Sequence, residues 1–158
     1  MPPDSAARAD LKGEYILIGG LAVQAHGHVR TTQDVNILPD PEPSNLERLA
    51  TALRALDARG GGADSSQFAL SAQAIAAAGT LSLDTRAGGL DIHLRPPGAK
   101  PYEQLRARTL DLEVAGELVA IAGLDDLIAM KRAAGRPLDR SDVLALTEGE
   151  AAEDEPGD

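Results

Sequence analysis

Short apolar runs that end at glycine or proline recur along the chain, and they predict the strands of a sheet. The first run, 14–18, ends at Gly19-Gly20 and leads into a short helix over 21–25. Residues 80–85 and 90–94 alternate apolar and polar side chains around a glycine turn, which predicts a β-hairpin. The other predicted strands are 33–38, 110–114 and 118–121, of which the last two are expected to pair about Gly116.

Apolar residues at helical spacing predict the helices. The clearest one starts at a capping-box pattern, in which Ser44 caps the first turn and Glu47 reaches back to it. Its apolar stripe runs to Leu56, and three glycines at 60–62 are expected to end it. The further predicted helices are 102–108, 124–134 and 140–146, the last with Asp139 as its N-cap, whereas 67–78 is left open between a helix and a loosely packed segment.

This order of elements predicts one mixed α/β (α+β) domain, a twisted sheet with helices mostly on one face. The length of 158 residues suits a single domain, which we place at 13–146 after a mobile N-terminal lead at 1–12. No apolar run approaches the roughly 18 residues of a membrane span. The N-terminus also lacks the pattern of a signal peptide. We therefore expect a cytoplasmic protein without a membrane partner.

The net charge of −10 is unevenly distributed. The stretch 147–158 contains six acidic residues and no basic one, which predicts an acidic, disordered tail. Without it the chain has 19 acidic against 15 basic residues. That balance argues against broad, sequence-independent nucleic-acid binding, but it leaves room for a small basic pocket that holds phosphates.

Polar side chains interrupt two of the apolar strands. Asp34 and Asn36 are two residues apart on the second strand, so they project from the same face. Asp91 repeats the pattern within 90–94, and His93 shares its face. Mg²⁺ prefers a few carboxylates together with phosphate oxygens and water, so Asp34 and Asp91 could converge on one ion. The alternative is that both acids are structural residues at a strand edge or end.

Two further features allow both a structural and a functional interpretation. Gly19-Gly20 is either a tight turn or a backbone that approaches a phosphate group. Lys131 falls on the apolar stripe of the 124–134 helix, where a charge needs a phosphate or a carboxylate as its partner. Arg136 extends the same basic run, whose simplest interpretation is a solvated helix face.

The order of a Gly-Gly turn, a short helix, the motif Arg30-x-Thr32-x-Asp34-x-Asn36, a helix and then Asp91 resembles the nucleotidyltransferase superfamily with the DNA polymerase β-like palm. The late stretch 126–142 is similar to small bacterial proteins related to the nucleotidyltransferase toxins of type IV toxin–antitoxin systems. The resemblance covers about 14–146.

The resemblance implies a transferase that uses a nucleoside triphosphate with Mg²⁺ or Mn²⁺. Gly19 and Gly20 would line the phosphates, with Arg30 and Thr32 nearby. Position 34, position 36 and Asp91 would be the catalytic metal ligands. Lys131 and Arg136 would contact the triphosphate or hold the structure. The acceptor would be an RNA, such as tRNA, or a protein, and a cognate toxin or antitoxin would be a partner.

Asn36 departs from this family, which has Asp there. Asn keeps one carbonyl ligand but loses the charge, so a dication should bind more weakly. Three explanations stay open: an impaired member, a member in which substrate phosphates supply the missing charge, or an engineered inactive variant. Two other functions also stay open: a non-catalytic module that binds nucleotide or a protein partner, and an α/β scaffold whose acids are only structural.

Overall fold

A computed structural model of the protein describes residues 14–27, 34–60, 71–86, 88–114 and 116–154. The strands are β1 (Tyr15–Ile18), β2 (Asp34–Pro39), β3 (Arg59–Gly60), β4 (Thr80–Thr85), β5 (Gly88–His93), β6 (Leu110–Val114) and β7 (Glu117–Ile121). The helices are α1 (Gly19–Ala25), α2 (Pro43–Ala55), α3 (Ala72–Ala78), α4 (Tyr102–Arg106), α5 (Leu124–Ala134) and α6 (Pro137–Asp154). The predicted N-terminal lead, 1–12, lies outside the described residues.

The strands form one mixed sheet in the order β3-β4-β5-β2-β1-β7-β6. β2 pairs with β5 and β1 with β7 in parallel, and the remaining pairs are antiparallel. The predicted hairpin is present as β4–β5, and the predicted pairing about Gly116 is present as β6–β7. The expected mixed α/β class is confirmed. The β2–β5 pairing matters most, because it makes the strands that carry Asp34 and Asp91 direct neighbours.

The two central strands are apolar on one face and polar on the other. Val35 and Ile37 of β2 are buried, as are Leu90 and Ile92 of β5, and they contribute to the hydrophobic core. The residues between them point to the opposite face, because side chains alternate along a strand. That opposite face carries Asp34, Asn36, Asp91 and His93.

The predicted capping box of α2 is wrong. The helix begins two residues earlier than a Ser44 cap implies, at Pro43, where proline is tolerated because its missing N–H would have no helical partner. Glu42 is the N-cap, and the Ser44 hydroxyl donates to a Glu42 carboxylate oxygen over 3.3 Å instead of capping the helix. The helix also ends at Ala55, well before the glycines, because Asp57 leaves the helical conformation with a φ of +53°. Gly60 pairs with Leu83 in the sheet.

The last two helices are separated where the sequence predicted. α5 has the predicted bounds and ends at Gly135, whose φ of +67° places it in the left-handed region. α6 differs, because it begins at Pro137 and continues to Asp154, past the predicted end at Leu146. Asp139 lies in its first turn rather than at the N-cap. The division of the chain at 146 stays a prediction.

Within the described ranges, every helix is too short or too polar to span a lipid bilayer.

Candidate active site

Three adjacent strands place polar side chains side by side on one face of the sheet. Asn36 of β2 lies directly opposite Asp91 of β5, which in turn lies opposite Ser82 of β4. Residues in direct register share a face and have their Cβ atoms about 5 Å apart. Ser82 could not be singled out from the sequence, because only the strand register brings it next to Asp91.

A cleft of about 360 Å³ lies over this row. Its sides are Gly19 from the β1–α1 turn, the 96–97 turn after β5, and residues from α5 and the start of α6. Leu127 and Met130 make part of the wall apolar, whereas Lys131, Arg136 and Asp139 make the rest charged. Of the candidate residues named from the sequence, the cleft brings together Gly19, Asn36, Asp91, His93, Lys131 and Arg136.

Gly19 packs directly against the Asn36 side chain. Its φ is +72°, a conformation that side-chain-bearing residues rarely adopt. A Cβ atom at this position would be 2.8 Å from both Cβ and Nδ2 of Asn36. Gly20 is buried within α1 and does not line the cleft. The Gly-Gly turn therefore makes room for the Asn36 amide, in addition to any role with phosphates.

We expect Gly19→Ala to destabilise the protein by about 1–3 kcal/mol for its backbone conformation, with a further loss from its contact with Asn36. Gly79→Ala is the matched control, because Gly79 also has a φ of +72° but has no atom within 4 Å of an added Cβ. Urea unfolding of both variants would separate the two costs. If both variants lost the same free energy of unfolding, the Asn36 side chain would be free to move away from the added methyl group.

A hydrogen bond to His93 fixes the Asn36 amide. With its proton on Nε2, the His93 ring donates to Asn36 Oδ1 over 3.0 Å. Burial holds the pKa of His93 below its usual value, and the charge of Arg136 adds to this against the opposing effect of Asp91. The lowered pKa favours a neutral His93 at pH 7. Asn36 therefore presents an oxygen that already accepts a hydrogen bond.

The remaining early-motif residues lie elsewhere. Asp34 is exposed at the outer end of β2, with its carboxylate over Gly89, where any side chain would collide with it. It shares the face of Asn36 but is not part of the cleft lining. Arg30 and Thr32, the other early-motif candidates, lie outside the described residues.

The site offers few ligands to a divalent cation. The described part of the chain contains no group of three His, Asp or Glu side chains placed to hold a metal ion. Asn36 contributes no charge, so Asp34 and Asp91 are the only acids of the three candidates. Mg²⁺ is commonly held by one or two carboxylates together with substrate phosphates. The residues therefore fit one ion shared with a phosphate ligand, and they do not fit a pair of ions held by three carboxylates.

Lys131 has two carboxylate partners inside the protein. Its ammonium lies 3.2 Å from Asp139 Oδ1 and 3.0 Å from Asp142 Oδ2, and all three residues are buried. The carboxylates on α6 supply the partner that a charge on the apolar stripe of α5 requires. The nucleotide-binding role of Lys131 stays a prediction, because its charge is already balanced.

Arg136 joins the same cluster from the α5–α6 turn. Its Nε donates to Asp139 Oδ2 over 2.7 Å, while 74% of its side chain is exposed. Burial is the largest influence on Asp139 and would raise its pKa. The hydrogen bonds from Arg136 and Lys131, together with their charges, outweigh burial and lower the pKa of Asp139. Asp139 is therefore an anion that holds two cations at the wall of the cleft.

Several solved structures are similar to this fold, and two of them come from proteins named for antibiotics. The crystal structure of the lincosamide antibiotic adenylyltransferase LnuA, lincomycin-bound, has a TM-score of 0.56, is 14% identical and covers 85% of each chain. The chain has the nucleotidyltransferase fold. The solution structure of the antibiotic-resistance factor ANT(2'')-Ia also has a TM-score of 0.56, with 16% identity over 94% of this chain and 80% of the other. No protein-family model and no curated protein sequence matches the chain.

Identities this low support the fold and nothing finer. The resemblance to the nucleotidyltransferase superfamily is confirmed at the level of the fold, because elements spanning most of the chain superpose on both structures. The particular likeness to toxin–antitoxin proteins stays a prediction.

Proposed function

We propose that the protein binds a nucleoside triphosphate in the cleft and transfers a nucleotide from it to a hydroxyl acceptor. The observation that carries the proposal is the Asn36–Asp91 pair, which lies in direct register beneath the cleft and against Gly19. The nucleotidyltransferase fold adds support, because in this chain the pair lies on β2 and β5, two central strands of that fold. Asp91, which lines the cleft, would hold one Mg²⁺ or Mn²⁺ together with the triphosphate, and Asp34, which lies on the same face outside the cleft lining, is the second candidate ligand. The ion would neutralise charge on the transferred phosphate.

The contacts suggest different roles for the two cleft cations. Lys131 is neutralised by two buried carboxylates, so its main role is to join α5 to α6. Arg136 is largely exposed at the cleft wall, and a guanidinium has five N–H donors. Its Nε and Nη2 donate to Asp139, which orients the group. Arg136 is therefore the better candidate for a phosphate contact.

The acceptor that we propose is an RNA, such as tRNA, or a protein. The solved neighbours add a third class, because LnuA is described as a lincosamide adenylyltransferase and ANT(2'')-Ia as an antibiotic-resistance factor. All three classes present hydroxyl groups, so one assay can compare them.

A second candidate is a non-catalytic module that binds nucleotide or a protein partner, within a toxin–antitoxin pair. The hydrogen bonding and the missing charge of Asn36 favour this candidate. The Asn36 oxygen already accepts a hydrogen bond from His93, and its amide carries no charge. A protein that binds nucleotide without transferring it has no need of a third carboxylate.

A transfer assay tests the proposal. The protein would be incubated with each labelled triphosphate, Mg²⁺ or Mn²⁺, and one of three acceptors: pooled tRNA, protein or a lincosamide. We expect transfer by the natural chain to fall at least about 100-fold in Asp91→Asn, because the remaining ligands are too weak to hold the ion. Asp125→Asn is the matched control, since Asp125 is exposed on α5 and does not line the cleft.

Calorimetry of triphosphate binding with and without Mg²⁺ separates the alternatives. Binding that requires Asp91, without transfer to any acceptor, would favour the binding module. If the protein neither binds nor transfers a nucleotide, the remaining interpretation is an α/β scaffold whose acids are structural.

A further inference from the structure

A second cavity, of about 530 Å³, lies apart from the candidate active site. It shares no lining residue with the cleft. The two separate at the end of β5, because His93 lines the cleft whereas Leu94 lines this cavity. Its volume falls within the roughly 300–1,000 Å³ of small-molecule sites in proteins. It is therefore large enough to hold a ligand that is unrelated to the nucleotide.

The lining of this cavity combines apolar side chains with two cations. Leu46 of α2, Ala76 of α3 and Leu94 provide an apolar surface. Arg95 and Lys100 add two exposed cations. Neither cation forms an ion pair with any residue that the structure describes. Their charges are thus available to an anion, and two cations suit one carboxylate or sulfonate better than a triphosphate.

Tyr102 adds a hydrogen-bond donor without a partner. It lines the cavity, and its hydroxyl is buried without a hydrogen bond to any described residue. Burial, with the nearby charges of Glu14 and Asp40, raises the pKa of Tyr102 to about 12, so the hydroxyl stays protonated. A buried donor that has no partner is rare in proteins and is commonly satisfied by a water or a ligand.

We propose that this cavity binds a small amphipathic monoanion. The apolar body of the ligand contacts Leu46, Ala76 and Leu94, and its anionic group lies between Arg95 and Lys100. The site is independent of the proposed nucleotidyl transfer, because the two cavities have separate linings.

The probe for the test is 8-anilinonaphthalene-1-sulfonate, which combines an aromatic body with one anionic group. Its fluorescence with the folded protein is expected to saturate at one molecule per chain. Ala76→Trp fills the cavity and should weaken binding at least tenfold. Ala77→Trp is the matched control, because it adds the same side chain to an exposed position of α3 outside the cavity. Circular dichroism would verify that both variants are folded.

Charge and hydrogen bonding are tested by two further variants. Lys100→Glu should weaken binding of the sulfonate probe at least fivefold. Binding of its neutral analogue, N-phenyl-1-naphthylamine, should stay unchanged. Tyr102→Phe should raise the Tm of the ligand-free protein by roughly 2–4 °C, since it removes the donor without a partner. Probe binding that is unaffected by Ala76→Trp, or weakened equally by Ala77→Trp, would overturn the proposal. The proposal would also be overturned if Lys100→Glu weakened the binding of both probes equally.

Discussion

Replacement of Lys131 by methionine is expected to lower the free energy of unfolding by about 3–5 kcal/mol. The ammonium of Lys131 lies between two carboxylates that are each only 1% exposed. Methionine has a similar length and fills the space, but it leaves the buried charges of Asp139 and Asp142 without this cation. Most proteins are stable by only about 5–15 kcal/mol, so the loss would be a large share of the total.

Urea unfolding at pH 7 measures this loss. Arg136→Met is the matched control, because it also removes a cation that contacts Asp139, but from a side chain that is 74% exposed. Its cost should stay below about 1 kcal/mol, as for other exposed ion pairs. Lys131→Met combined with Asp142→Asn should recover part of the stability, since it removes one of the two buried charges.

The same variants decide what Lys131 does in the cleft. A destabilised but folded Lys131→Met protein that still binds a triphosphate would mean that this lysine joins α5 to α6 and does not contact the nucleotide. Full stability with lost nucleotide binding would contradict the expected result, and it would favour the role that the family resemblance implies.

The periodic parts of the fold were predictable from the sequence. The stripe of α5 and the hairpin of β4 and β5 were predictable because each element repeats its period and ends at a glycine or proline. The start of α2 was not, because Ser44 and Glu47 fit a capping box equally well two residues after the observed N-cap, Glu42. Helix ends depend on competing local hydrogen bonds, and several near-equivalent choices exist in this proline-rich stretch.

The candidate site was predictable in its residue types but not in its contacts. The two-residue spacing places Asp34 and Asn36 on one face, whatever the rest of the fold. That Asn36 rather than Asp34 lies opposite Asp91 depends on the register between β2 and β5, whose paired residues are 55 positions apart in the sequence. A shift by two residues would place Asp34, rather than Asn36, directly opposite Asp91.

Lys131 illustrates the same limit. Its position on an apolar stripe indicated that it needs a partner, and the sequence left a phosphate or a carboxylate as alternatives. The partners are on the next helix, and they reach Lys131 because the chain turns at Gly135. Patterns within one helix do not contain that information.

The Asn36→Asp variant is expected to convert the site from one that binds Mg²⁺ weakly into one that binds it tightly. Without metal, two carboxylates directly opposite each other repel, so the variant should lose up to about 1 kcal/mol of stability. With metal, the added charge faces Asp91, and an ion present at about 100 times its Kd would stabilise the protein by roughly 2.7 kcal/mol. The effect of the substitution on stability should therefore change sign between EDTA and Mg²⁺.

Thermal unfolding of the natural chain and of Asn36→Asp, each in EDTA and in 10 mM Mg²⁺, measures this reversal without any assumption about the acceptor. Asp91→Asn in the variant background should abolish it, because the opposing carboxylate is then missing. Nucleotide transfer should rise at least about tenfold with Asn36→Asp if the cleft holds the triphosphate, because the added carboxylate holds the metal ion more tightly. A tenfold gain corresponds to a barrier that is lower by about 1.4 kcal/mol. Equal Mg²⁺ responses of the two proteins would instead mean that this pair is not a metal site, and the binding module and the structural scaffold would be the alternatives that remain.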